Sequence, residues 1–248
     1  MRKLTYINRW LKKFGVEVYR LNAVERITRQ NSDKWLKQLN INTVLDIGAN
    51  EGLFTEMIHR VIPSASIIAF EPHYECVKKL FKLQQSIPSL SVIPYALGDE
   101  DGDRIFHCNA FSPSSSLLRA EKLHEIAFPY TKHTQEESIK ISTLDLLLRG
   151  YSLKGGVLAK IDVQGYELHV LRGTEQTLPL IDVVIVETNY FSLYQGQSTF
   201  SEVYDFLVKK GFHFIGNYDQ MYNPQNGMVL QGDAIFVNES SLKILEKA

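Results

Sequence analysis

The stretch Thr43-Val44-Leu45-Asp46-Ile47-Gly48-Ala49-Asn50-Glu51-Gly52 (43–52) decides how this chain is read. A short run of branched apolar residues closes on an aspartate and a glycine turn. Leu53, Phe54, Met57, Ile58 and Val61 then follow at helical spacing. Strand, glycine turn and amphipathic helix in that order make one α/β unit. Gly48 lets the backbone turn tightly and approach a ligand, and Gly52 allows close packing at the helix start. A dinucleotide fold asks for G-x-G-x-x-G to cradle a pyrophosphate. Here the pattern is G-x-x-x-G with an acid in front, which suits a ligand carrying a cationic amine.

Outward from this unit the rhythm repeats. The runs SIIAFE (66–71), LSVIPYAL (90–97), GVLAKIDV (156–163) and IDVVIVE (181–187) are short and nearly continuous in hydrophobicity, as strands buried on both faces are. Val77, Leu80 and Phe81 form a second helical stripe, TLDLLL (143–148) reads as a crossover helix, and 199–210 is a further helix through Phe200, Val203, Tyr204 and Leu207. HFIGNYD and DAIFVN read as a closing pair of strands. The alternation predicts a doubly wound, mostly parallel α/β sheet. Residues 98–138 break it with GDEDGD, NAFSPSSS and three of the seven histidines. That segment is either a surface insertion or a lid over the ligand.

Composition narrows the function. With 248 residues, 27 Lys+Arg against 28 Asp+Glu and 44% hydrophobic residues, the chain has the make-up of one large globular domain with extensions. A net charge of −1 lacks the basic surplus of a general nucleic-acid binder, so no nucleic-acid partner is expected. Cys76 and Cys108 form neither a metal knuckle nor a disulfide framework, which places the protein in a reducing, cytoplasmic setting. Residues 1–20 differ: six basic side chains face only Glu17. Leu4, Ile7, Leu11 and Phe14 would share one stripe of a basic amphipathic helix over 3–14. This helix is either a lid on the domain or a weak peripheral contact with the inner face of an anionic membrane.

In open α/β sheets the ligand lies beyond the carboxyl ends of the strands. Asp46 ends the first run and Glu71-Pro72 the second, 25 residues later. An acid at the second position is placed to accept both hydroxyls of a ribose. Together the two acids indicate an adenosine with an amino-acid tail, a description that S-adenosylmethionine fits.

The strings VLDIGANEGLF (44–54), AFEPHYE (69–75), YALGD (95–99), AKIDVQGYELHVLRGTEQTL (159–178), VIVETNYFSLYQGQSTFSEVYDFLVKKGF (184–212) and QGDAIFVN (231–238) resemble successive blocks of the FkbM family of S-adenosylmethionine-dependent methyltransferases. The resemblance spans about residues 40–238. It implies a class I methyltransferase (Rossmann-like) fold with a seven-stranded sheet ordered 3-2-1-4-5-7-6, an N-terminal helical extension over 1–40, and a transferase domain over 41–240 with an insertion at 100–138. It also implies O-methylation of a hydroxyl of a sugar, glycan or glycolipid, or of a related secondary metabolite. The cofactor set it suggests is Asp46, Gly48, Ala49, Asn50, Gly52, Phe54, Glu71, Pro72, Ala96, Leu97, Asp99 and Asp162.

Methyl transfer to a hydroxyl needs alignment and a proton acceptor. Asp162, ending the fourth strand, is the expected base. Lys160 shares its face two residues earlier, and Glu187 ends the fifth strand. Glu167 is either a further acid or a carboxylate favouring its helix dipole. If a divalent ion such as Mg²⁺ takes part, Asp162, Glu187 and Asn189 are the ligands expected. No H-x-x-H or C-x-x-C spacing supports zinc. Tyr190, Phe191, Tyr194 and Phe200 line the acceptor pocket or belong to the core, and His107, His124 and His133 are lesser base candidates. The competing readings are a nicotinamide-dependent oxidoreductase, a nucleic-acid base methyltransferase and a non-catalytic binding protein on the same sheet.

Overall fold

The computed structural model describes residues 34–153 and 155–247. The chain divides into two units, Met1–Leu36 and Lys37–Ala248. The basic helix expected over 3–14 lies outside the described residues. In the second unit the chain runs β1 (Ile41–Ile47), α1 (Leu53–Val61), β2 (Ser66–Phe70), α2 (Tyr74–Gln84), β3 (Leu90–Ile93), β4 (Ala96–Leu97) and β5 (Gly102–Asn109). It continues through α3 (Lys122–Ala127), β6 (Thr134–Ser142), α4 (Leu144–Leu147), β7 (Gly156–Ile161), α5 (Glu167–Arg172), β8 (Val183–Asn189), α6 (Phe200–Lys209), β9 (Phe212–Tyr222), β10 (Val229–Asn238) and α7 (Glu239–Leu245). No helix among the described residues is long and apolar enough to cross a membrane.

Seven strands form one sheet in the order β3-β2-β1-β7-β8-β10-β9. Counted along the chain, these strands run 3-2-1-4-5-7-6, as the resemblance implies. β10 lies antiparallel to both neighbours, while β1, β2, β3, β7 and β8 are mutually parallel. The continuous apolar runs earn their place: every residue of β8 is buried, as are Val157–Ile161 of β7. Each Val, Leu or Ile so removed from water contributes about 1.5–3 kcal/mol. The order reverses between β1 and β7, so the loops leaving those two strands part and open a crevice. α6 starts on a capping box in which Thr199 Oγ1 accepts from the Glu202 N–H and the Glu202 carboxylate accepts from the Thr199 N–H, satisfying two otherwise orphaned donors.

One expectation is corrected. The run 90–97 is not one strand. Pro94 has no N–H to give to a ladder, and the Tyr95 N–H turns back onto Ile93 O at 2.9 Å. Ala96 and Leu97 then leave for a second sheet, ordered β4-β6-β5. The segment 98–138 contains β5 and the start of β6, an antiparallel pair registered from Gly102↔Ile141 to Asn109↔Thr134, with α3 between. Its strands are exposed over much of their length and so lack the apolar run that marks a buried strand.

Candidate active site at the carboxyl ends of the strands

A cavity of about 490 Å³ opens where β1 and β7 part. It is walled by the loops after β1, β2 and β7, by side chains of β8 and β10, and by the segment 111–117 from the insertion. Of the residues expected to bind a cofactor, Gly48, Ala49, Asn50, Phe54, Glu71, Pro72, Ala96, Leu97 and Asp162 line it.

The glycine turn forms the first wall. Gly48 has φ +80°, and a β-carbon there would collide with the backbone carbonyl of Asp162, so only glycine lets the β1 and β7 loops touch. The N–H groups of Gly48 and Ala49 both donate to Phe70 O, at 3.0 and 3.1 Å. Glu71 locks the turn to the end of β2: its carboxylate accepts from the Asn50 N–H and from the His73 N–H, both at 2.8 Å. Burial raises its pKa to about 7 despite those two donors, with Asp46 and Asp162 adding to the rise. Beside it Phe70, Leu97 and Phe106 give an apolar surface suited to a nucleobase.

Asp46 is corrected. It does not line the cavity. Its side chain is turned into the core, where Oδ2 accepts from Thr55 Oγ1 at 2.5 Å, and burial raises its pKa to about 6. It therefore braces β1 against α1. Gly52 is also set back from the cavity, with φ +91° and Leu80 and Leu83 of α2 packed against it, so its role is the close packing alone. Asp99 is placed elsewhere too: it pairs with His169 Nδ1 at 2.8 Å, and the His169 ring is stacked on Tyr166.

The second wall is a polar network. Lys160 Nζ donates to Asp162 Oδ2 at 3.2 Å and to Asp233 Oδ1 at 3.1 Å. Burial by itself would discharge Lys160, but Asp162, Asp233 and Glu187 outweigh it and hold its pKa above the ordinary lysine value. Gln164 Nε2 donates to Asp162 Oδ1 and to Glu187 Oε2, both at 2.8 Å, and Gln231 Nε2 donates to Glu187 Oε1. Burial, then the charges of Asp162 and Glu167, push the Glu187 pKa well above the usual carboxylate range. Gln164 sits at φ +55° in a loop clamped by Glu167, whose Oε1 accepts from the Val163 and Gly165 N–H groups at 3.2 and 2.9 Å. Glu167 is thus a backbone clamp, buried, with its pKa raised to about 7 by burial.

The carboxylates of Asp162, Glu187 and Asp233 lie within 4.8 Å of one another. Asp233, not Asn189, completes this group. β8 runs two residues past Glu187, and Asn189 is buried off the cavity wall with neither amide atom hydrogen-bonded. The place a Mg²⁺ ion would take between Asp162 and Asp233 is held by the Lys160 ammonium, so the donor set does not fit a divalent cation.

The aromatic residues after β8 are not on the wall either. Phe200 packs among Tyr190, Tyr204 and Phe214, and Phe191 is partly exposed. Tyr194 is buried, and its hydroxyl donates to Gln164 Oε1 at 2.8 Å, so it supports the network from behind. His124 does reach the cavity, with Nε2 3.3 Å from the Tyr194 hydroxyl and burial lowering its pKa. His107 and His133 are not on the wall. Sequence reasoning missed Gln164, Gln231 and Asp233, although KIDVQGYE and QGDAIFVN contain them. It also missed the contact by which the insertion reaches the glycine turn, Ser112 Oγ to Asn50 Oδ1 at 3.0 Å.

A family model described as a methyltransferase FkbM domain matches residues 46–214. Methyltransferase 1 of Beauveria bassiana is 30% identical over 184 residues, covering 68% of this chain and 71% of the relative. The 2-O-methyltransferase NoeI of Sinorhizobium fredii is 25% identical over 170 residues, covering 66% and 70%. The hexuronic acid methyltransferase AglP of Haloferax volcanii is 31% identical over 148 residues, covering 57% and 54%.

Proposed function

This chain belongs to the FkbM methyltransferase family, and from that premise we propose that it moves a methyl group from S-adenosylmethionine to a hydroxyl of a sugar, a glycan or a related small molecule. The observation that carries this reading is the placement of Asp162. Its backbone carbonyl lies against Gly48 of the cofactor wall, and its carboxylate belongs to the polar network. When bound, the cofactor presents a sulfonium methyl group that leaves by in-line displacement, with no proton needed on sulfur.

Glu71 would accept the ribose hydroxyls through the lone pairs not used by Asn50 and His73, and Leu97 and Phe106 would cover the base. The depth of Gly48 brings the reacting end toward Asp162. That carboxylate accepts the proton of the acceptor hydroxyl, a role worth about 10²–10⁴-fold in rate. Lys160 and Gln164 leave it little freedom to turn, and the ammonium offsets the charge of three neighbouring acids. Since Lys160 fills the cation position, the reading requires no divalent ion between the acids. Added Mg²⁺ should therefore leave the rate unchanged.

The names of the relatives from Sinorhizobium and Haloferax, a 2-O-methyltransferase and a hexuronic acid methyltransferase, support a sugar hydroxyl as the acceptor. In the same reading residues 41–240 form the transferase domain and the insertion shapes the acceptor end. The test is calorimetric titration with S-adenosylhomocysteine and with NADH, followed by transfer of labelled methyl groups to a panel of saccharides. Binding of the first ligand alone and label in a saccharide are expected. No binding of S-adenosylhomocysteine removes the proposal, and label confined to nucleic acid would replace the acceptor.

A further inference from the structure

A second group of ligating side chains lies beside the cavity and takes no part in the reading above. His73 stands at the N-terminal cap of α2, Cys108 on β5 and Glu137 on β6. One donor atom from each lies within 4.8 Å of the other two. The register explains the pairing. Phe106 faces Glu137 and Cys108 faces Gln135, so Cys108 and Glu137 are diagonal neighbours on one face of the hairpin. His73 meets them from the other side, its Nδ1 3.5 Å from Cys76 Sγ, a contact that orients the ring. The sequence contains no paired-ligand spacing because the three residues come from three separate elements.

We propose that His73, Cys108 and Glu137 form a metal site of the zinc type that pins the inserted three-stranded sheet to the start of α2. The donor chemistry selects the ion. One nitrogen, one sulfur and one oxygen suit a borderline cation such as Zn²⁺ and not Mg²⁺ or Ca²⁺, which take oxygen alone. Bonds to zinc are roughly 2.0–2.3 Å, so the three side chains must draw together slightly. Glu137, partly exposed on the hairpin, has room to do so. Cys108 releases its proton to solvent on binding, and a water completes four-coordination. The site differs in kind from the oxygen-only group at Asp162, Glu187 and Asp233, where a lysine stands in for the cation. It also bears on the cavity: His73 follows Glu71 by two residues and itself lines the wall, so the ion would hold that wall and the insertion in one arrangement.

Cobalt distinguishes the two groups, because a thiolate ligand gives Co²⁺ a strong near-ultraviolet charge-transfer band and carboxylates do not. The full chain, stripped with chelator and titrated with Co²⁺, is expected to bind one equivalent with that band, and Zn²⁺ should displace it. Cys108→Ser should abolish the band. Glu137→Gln should weaken Co²⁺ binding about tenfold or more, the least that even changes outside the ligand shell cost. Asp162→Asn and Asp233→Asn should leave both band and affinity in place. The proposal falls if no band forms, if it survives in Cys108→Ser, or if the aspartate variants remove it. Unchanged affinity in Glu137→Gln also overturns the three-residue set, and that substitution, on a partly exposed side chain, decides the matter even should Cys108→Ser fail to fold. None of these outcomes depends on methyl transfer.

Discussion

At the ends of β1 and β2 the carboxylates are held by chain close at hand: Asp46 by Thr55, nine residues on, and Glu71 by backbone N–H groups two residues ahead and 21 behind. At the ends of β7, β8 and β10 the near partners of Asp162, which are Lys160 and Gln164, are themselves tied to acids farther along the chain. Gln164 reaches Glu187 across 23 residues, Gln231 reaches it across 44, and Lys160 reaches Asp233 across 73. The first wall presents one acid, Glu71, with a raised pKa and no ammonium acting on it, a surface for holding neutral hydroxyls. The second carries an ammonium among its acids and can take up a proton without building net charge. In the proposed function one wall binds and the other reacts.

The strongest way to break that contrast is Asp162→Asn. Transfer is expected to fall by about 10²–10⁴-fold with S-adenosylhomocysteine affinity, read by calorimetry, held within a few-fold. An equal loss in both would merge the two walls. Next is Lys160→Met, which strands half-buried Asp233 and buried Glu187 beside Asp162 with no cation. Breaking a buried pair costs about 3–5 kcal/mol, and denaturant unfolding should show a loss of that order.

Glu71→Gln sharpens the comparison from the other side. Cofactor affinity should drop by about tenfold or more, as expected when a hydrogen-bonded charged group worth about 1.5–3 kcal/mol is removed, while turnover at saturating cofactor changes less. The same residue predicts a pH effect. Its folded pKa of about 7 and that of Asp46 at about 6 stand above the unfolded carboxylate values near about 4. The folded chain keeps protons that the unfolded chain has lost, so these groups stabilise at low pH, and that contribution disappears as pH rises from about 4.5 through about 7. The melting temperature of the ligand-free protein should therefore fall over that interval, and less steeply in Glu71→Gln. The smallest expected effect is Asp46→Asn, a loss of about 1–2 kcal/mol of stability with cofactor affinity unchanged. A large loss of affinity there would return Asp46 to the cavity.

Legibility divides along the same line. The acid at the end of β2 and the Lys160–Asp162 pair were readable because each depends on position within one strand: a strand's end faces the crevice, and residues two apart share a face. Asp46 misled because an acid before a glycine turn marks the end of a strand without saying which layer its side chain enters, and Thr55 on α1 was there to receive it. Asn189 was expected because it stands two residues after Glu187 in the chain. In space the neighbour is supplied by β10, which slips in antiparallel beside β8. The inserted hairpin gave no signal because its exposed strand Thr134–Ser142 begins TQEE, polar on both faces where nothing buries it.

The amino-acid order alone determined that this chain forms a mostly parallel sheet with a glycine turn at its first strand, that Glu71 and Asp162 stand at strand ends, and to which family its blocks of residues belong. Only the tertiary structure decided which acids face the cavity, that Lys160 holds the place of a cation, and that His73, Cys108 and Glu137 meet. The reason is one of range. Spacing along a strand or helix sets which side chains share a face, through the fixed periods of those elements. The meeting of side chains from different elements depends on register and packing across the whole sheet, and no local period records it.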